Sequence, residues 1–428
     1  MKFKNLLAQS LVWRSVYYIS LLLLNVVISR HLQAAGSGEL FYLTNLFAFL
    51  HLLFSLTIEN ALTYFGASDR ISAAALFWFT LAWCLLMGLS LYLLRWLYLA
   101  GFPFFRDYFF YAITYIIGLT LANCMSALFY VKRNFYLPSL FSSALNVLLC
   151  LIIILKGQAL DAIIGRLYFW LFLSHGLLLV IAYTGNYREV WKPQFPSGKD
   201  IQKLISFSLM ALAANVIFFL VYRIDYWFVK NSPVCNSADL GNYIQASKLG
   251  QMLLIIPQII ASVIFPQTAS GVDRELVNNT VTIISRLMSQ GFLLLLLILL
   301  IIGRWLFPFV FGESFALMYW PMVLLIPGIF SLSVLSLLSA YFSGKGKMRV
   351  NIGGALLSLI VVATGDYFFI PVYGIVAAAL VSTIGYSAGM LYSLYCFYKD
   401  YRINLSGFFR WRITDYRWLL EVVYKKEK

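Results

Sequence analysis

Apolar runs of about twenty residues, separated by short polar clusters, repeat along almost the whole chain. A bilayer core about 30 Å thick needs roughly 20 apolar residues per helix. The pattern predicts spans near 8–30, 38–65, 71–95, 107–130, 137–155, 161–184, 202–228, 238–265, 282–303, 315–342, 349–370 and 373–398. The runs are continuous and do not alternate in ten-residue strands, which excludes an outer-membrane barrel. The expected fold is all-α and polytopic. The first run is too long for a signal-peptide core and lacks a small-residue cleavage site, so it is expected to be the first span.

Composition agrees. Of 428 residues, 62% are hydrophobic and 11% charged, too few charges to cover a soluble surface of that size. Short loops leave no room for a sizeable soluble domain. The net charge of +15 is distributed unevenly. With the N-terminus inside, the inner loops and tail hold 22 Lys and Arg, among them Arg70, Lys132, Arg133, Lys345 and Lys347, against 8 outside, among them Arg30, Arg95 and Arg304. The positive-inside rule then puts both termini in the cytoplasm. The charge is a topology signal with a secondary attraction to acidic lipids, and nucleic-acid binding is not indicated. The basic tail 399–428 carries Trp411 and Trp418 and is expected to form an interfacial helix.

Ser126–Lys132 and Ser339–Lys345 share the pattern S-A-x-F-x-x-K, 213 residues apart. Both lie at the inner end of a span, the fourth and the tenth. This predicts two parallel six-span halves, 1–185 and 201–398, joined by a polar linker at 186–200, with the site between them. In the last span Gly374, Ala378, Ser382, Gly385 and Gly389 fall on one face, which permits close helix packing without implying chemistry.

Motif searches exclude several enzyme classes. No P-loop, H-E-x-x-H, G-x-S-x-G or D-x-D is present. The five cysteines form no C-x-x-C and are expected to be packing residues, with no metal site.

The second half carries a more specific signature: Phe311-Gly312-Glu313-Ser314-Phe315, Leu325-Ile326-Pro327-Gly328, Tyr341–Lys347 and Ile370–Ala379, with Asp225, Leu240–Tyr243, Ile256-Pro257 and Phe265-Pro266 before them. With Ser29–Leu32 leading to Gly38–Tyr42 in the first half, these resemble the polysaccharide-biosynthesis (O-antigen, Wzx-type) flippases of the multidrug/oligosaccharidyl-lipid/polysaccharide exporter superfamily. Gln33–Ser37 departs from the usual glycine-containing turn. The resemblance implies two six-helix bundles around a central cavity. It implies flipping of an undecaprenyl-diphosphate-linked oligosaccharide to the periplasmic leaflet of a bacterial inner membrane, with other polysaccharide-assembly proteins and membrane lipids as partners and no catalysis.

Intramembrane ionisable groups are costly and usually face a cavity or a partner. Arg14 lies 21 residues before the first hairpin midpoint and Glu59 24 after it, so on straight antiparallel helices they share a depth and are expected to pair. Arg223 and Lys248 share the outer third of the second half, with Asp225 close to both. The three cations either meet a diphosphate, which arginine's planar fork binds bidentately, or are structural, with Arg223 and Lys248 snorkelling to the interface. Three cations against two carboxylates lean toward an anionic substrate. His51 and His175 lie near mid-membrane and are either proton carriers or packing residues. No cofactor is expected, with H+ or Na+ as candidate coupling ions. Asn25, Asn60, Asn123, Asn146 and Asn215 either bond sugars or bridge helices. Two other classes stay open: a multidrug-type exporter of the same fold, and a membrane enzyme of glycan assembly, which the missing outer loops disfavour.

Overall fold

A computed structural model describes residues 3–68, 70–97, 103–156, 161–269, 274–401 and 414–416. It contains helices α1 (Phe3–Ser55), α2 (Ile58–Ala67), α3 (Ala73–Leu97), α4 (Pro103–Val131), α5 (Tyr136–Lys156), α6 (Asp161–Asn186), α7 (Gly198–Lys230), α8 (Ser237–Met252), α9 (Ile255–Ala269), α10 (Arg274–Phe311), α11 (Tyr319–Gly344) and α12 (Met348–Tyr401). No strand occurs among the described residues. Among the described residues, ten segments are long and apolar enough to cross a membrane. This is a multi-pass membrane protein.

Two of the ten, those within α1 and α12, are twice the necessary length. At 1.5 Å per residue a helix of 53 residues would run about 80 Å, well over two bilayer cores. Each of these two helices is broken once. In α1 the break is Gln33, with φ 59°. In α12 it is Gly374, with φ 62°, three residues after Pro371. The α12 break is a reversal of direction. A Cβ on Gly365 would lie 2.6 Å from Val381, one on Gly385 2.4 Å from Val362, and one on Gly389 2.1 Å from Ser358 Oγ. Contacts that rise on one side as they fall on the other define an antiparallel hairpin, and the small-residue stripe is what lets its arms touch. The ten segments thus supply length for twelve crossings.

Cα packing divides the chain into two compact units, residues 1–33 with 40–216, and residues 34–39 with 217–428. The polar linker stays with the first. Trp78 Nε1 donates to the Val190 carbonyl at 2.9 Å, and Lys132 pairs with Glu189 at 2.7 Å. The first unit's core is built around Phe77, Phe129 and Tyr183, whose rings lie 5.1 and 5.6 Å apart. The second unit's core gathers Tyr341, Phe342 and Phe397.

The repeated motif forms one cap twice. After α4, Asn134 N–H donates to the Phe129 carbonyl at 2.9 Å, and Arg133 takes φ 57°. After α11, Lys347 N–H donates to the Phe342 carbonyl at 2.8 Å, and Gly346 takes φ 71°. Both are the six-to-one bond of a Schellman cap, which satisfies carbonyls that a helix end leaves without partners. The offset of 213 residues is kept at every position.

In the second unit the segment 34–39 packs backbone to backbone on the start of α8. A Cβ on Gly241 would sit 1.9 Å from the Ala34 carbonyl oxygen, and one on Gly38 would sit 2.7 Å from Gly241 N. Ala34 N–H donates to Ser314 Oγ at 3.0 Å. The Glu39 carboxylate accepts from Lys230 and, at 2.6 Å, from Ser237 Oγ. The start of α8 is fixed by a capping box between Asn236 and Asp239.

The interfacial helix expected over 399–428 lies largely outside the described residues. The turn at 414–416 is described and docks on α10: Arg286 Nε and an Nη donate to the two carboxyl oxygens of Asp415, each at 2.7 Å, with both side chains buried.

Candidate functional site

Each unit holds a polar site in its interior. In the first, a cavity of about 320 Å³ is lined from α1 by Tyr17, from α2 by Glu59 and Asn60, from α4 by Asn123, Ser126 and Tyr130, from α5 by Asn146, and from α6 by Tyr168, Phe172 and His175, among others. Leu56 and Thr57, both with positive φ, break the chain before α2 and turn Glu59 and Asn60 into this space. Glu59 Oε2 has no hydrogen-bond partner. Asn146 donates to Ser20 Oγ at 3.1 Å, and His175 Nε2 lies 3.2 Å from the Pro138 carbonyl.

Arg14 and Glu59 do not form an ion pair. The depth count assumed straight helices, and the break at Leu56–Thr57 redirects Glu59. Arg14 lies instead over the ring of Tyr130, 5.7 Å from its centroid, and is not a lining residue. Of the two histidines, His175 lines the cavity; His51 is buried away from it, with Nε2 unbonded. Of the five asparagines, Asn60, Asn123 and Asn146 line it, whereas Asn25 donates to the Leu21 carbonyl within its own helix.

The second unit's site centres on Asp225, which is fully buried. Its carboxylate accepts from Tyr243 Oη at 2.5 Å, from Ser382 Oγ at 3.2 Å and from the Tyr226 N–H at 2.8 Å. Asp366, on the first arm of the α12 hairpin, is equally buried and lies within electrostatic reach of Asp225 and Tyr243. Neither of its carboxyl oxygens has a hydrogen-bond partner. Arg223 donates to Tyr226 Oη at 3.2 Å and to Gln251 Oε1 at 2.7 Å, and both it and Lys248 are half-buried.

Three sequence readings change here. Asp366 was missed, although the rule that picked out Asp225 applies equally to a lone aspartate in the run 349–370. It brings the intramembrane count to three carboxylates and removes the lean toward an anionic substrate. Ser382, assigned to packing, also bonds a buried carboxylate.

A model of the family described as polysaccharide biosynthesis protein matches residues 27–319, more than half of the chain. The chain belongs to that family. Solved structures agree on its fold, which is shared with the lipid II flippase MurJ in an inward closed conformation, at TM-score 0.70 and 12% identity, covering 98% of this chain and 94% of that one. An inward-facing multidrug-resistance MATE transporter of the MOP superfamily matches at TM-score 0.69 and 14% identity, over 91% and 98% of the two chains. The Vibrio cholerae MATE transporter VcmN in its bent form matches at TM-score 0.62 and 14% identity, over 95% and 98%. No curated protein matches the sequence. At these identities the likeness establishes the fold, and the family establishes the setting, polysaccharide synthesis.

Proposed function

We propose that this family member flips an undecaprenyl-diphosphate-linked oligosaccharide from the cytoplasmic to the periplasmic leaflet of a bacterial inner membrane, by alternating access and without catalysis. The observation that carries the reading is the first unit's cavity, an amide-, hydroxyl- and ring-lined space inside a membrane bundle of a polysaccharide-biosynthesis chain. Such a lining suits a glycan. The 22-to-8 distribution of basic residues supports cytoplasmic termini. The superfamily resemblance supports the lipid carrier.

Arg14, beside the cavity, is the candidate phosphate-binding cation, since a diphosphate leaving water needs compensating positive charge. Arg14→Gln should abolish surface polysaccharide at normal protein abundance, and Arg14→Lys should retain part of it. Because no ion pair joins Arg14 to Glu59, Glu59→Gln should not restore export to Arg14→Gln. Full export by Arg14→Gln would remove this residue from the mechanism.

Coupling to H+ or Na+ fits the second site. Two buried carboxylates, one with unbonded oxygens, beside a serine hydroxyl form an oxygen-rich set of the kind a proton or hard monovalent cation takes, and two such charges cannot stay unpaired in a dry interior. Asp225, Asp366 and Ser382 would hold it. In proteoliposomes, Asp366→Asn should cut transport at least tenfold and abolish its dependence on the imposed ion gradient. The third carboxylate also favours a second reading, a multidrug-type exporter for cations. A knockout that gains sensitivity to cationic drugs yet keeps its surface polysaccharide would select that reading.

A further inference from the structure

We propose that the first unit's cavity is a subsite for an uncharged sugar of the transported lipid and excludes the diphosphate and acidic sugars. This rests on the flippase reading above. The charge of the lining comes first. Glu59 is its carboxylate, and no lysine or arginine is among the described lining residues. Arg14 stands outside the lining, over Tyr130. A diphosphate or uronate drawn into this space would meet a carboxylate and, among the described lining residues, no directly contacting cation, whereas outside the lining it would meet Arg14.

The hydrogen-bonding capacity of the lining comes second. Among the described residues none bonds the side chains of Asn60, Asn123 or Ser126, and Glu59 Oε2 is also unbonded. Polar groups inside a membrane bundle are normally satisfied by the protein. The accessible side chains of Asn60, Asn123 and Ser126 and the buried Glu59 Oε2, on two helices around one space, are thus open to bond an occupant. The amides both donate and accept, the hydroxyl does either, and the carboxylate accepts from a hydroxyl or an acetamido N–H. Vicinal sugar hydroxyls supply that mixture.

Shape comes third. Tyr17, Tyr168 and Phe172 add rings, against which the C–H face of a pyranose packs while its rim is bonded. A volume of about 320 Å³ is at the lower end of small-molecule sites, so the cavity takes one or two sugar rings and not a whole repeat unit.

The test uses the full-length protein in nanodiscs and native mass spectrometry with four kinds of probe. These are undecaprenyl diphosphate, the same carrier bearing glucose or galactose, bearing N-acetylglucosamine or N-acetylgalactosamine, and bearing glucuronate. At least one neutral-sugar carrier should bind about tenfold more tightly than the bare carrier, and the glucuronate carrier no more tightly than the bare one. Asn60→Leu with Asn123→Leu should erase that advantage, so that neutral-sugar and bare carriers bind alike. Glu59→Gln, the milder change, should reduce the advantage and relax the exclusion of glucuronate. Equal binding of bare and neutral-sugar carriers, or strongest binding of glucuronate, overturns the subsite and leaves the flippase reading standing, as does an advantage that survives both the double variant and Glu59→Gln. If the bare carrier and every sugar-bearing one fail to bind, the flippase reading itself fails.

Discussion

Replacing Gly241 by valine should leave almost no folded protein in the membrane. The smallest addition, a Cβ, would stand 1.9 Å from the Ala34 carbonyl oxygen and 2.7 Å from its carbon. These are backbone atoms, so no rotamer change relieves the clash. Overpacking a core usually costs about 1–3 kcal/mol when side chains can yield. Here the 34–39 segment must detach, and with it the Ala34–Ser314 bond and the Glu39 contacts with Lys230 and Ser237. Gly241→Ala should already lower the melting temperature by several degrees and the yield of monodisperse protein in detergent. Gly185→Ala is the control, because no atom lies within 4 Å of its added Cβ. It should melt at or slightly above wild type, as alanine exceeds glycine in helix propensity by about 1 kcal/mol. A Gly241→Ala protein that melts with wild type would mean that this backbone contact is not formed.

Asp415→Asn should be the second most damaging single change. It leaves the Arg286 guanidinium buried without its bidentate partner, where the pair had been almost fully shielded. Breaking a buried ion pair from one side costs about 3–5 kcal/mol. The double change Arg286→Met with Asp415→Leu removes both charges and should recover most of the loss, since well-packed apolar replacements of buried pairs are often neutral. The readout is thermal unfolding together with protease accessibility of a C-terminal tag. A double variant no better than Asp415→Asn would mean that the pair contributes more than charge compensation.

What was legible in the sequence were features whose cause is local. Pro371 and Gly374 announce the α12 break, and the stripe from Ala378 to Gly389 announces the arm it packs on. The shared S-A-x-F-x-x-K pattern led to two helix caps with the same hydrogen bonds. The count of ten long segments hides two crossings, because α1 and α12 continue through their breaks. The candidate site was legible in part. Asn60, Asn123, Asn146 and His175 were picked out individually, but that they surround one space depends on the positive φ of Leu56 and Thr57. No residue type at 56 or 57 signals a left-handed backbone, and a β-branched threonine argues against it. The same break undid the Arg14–Glu59 pairing. Asp366 was a different failure: its signal was present, a single acid in an apolar run, and only its neighbours on α7 and α8 show that it belongs to a set.

The two Schellman caps bear on how the two halves are compared. At the turn where one half has Gly346, the other has Arg133, a residue with a Cβ held at φ 57°. Side-chain identity at that position differs between the halves while the handedness of the backbone is the same. A comparison of the halves by residue type would score the pair as unrelated, and one by the sign of φ would score it as identical. The sign of φ in the turns thus relates the two halves at a position where residue type does not, and it does so outside the apolar spans, where nearly every residue already resembles every other.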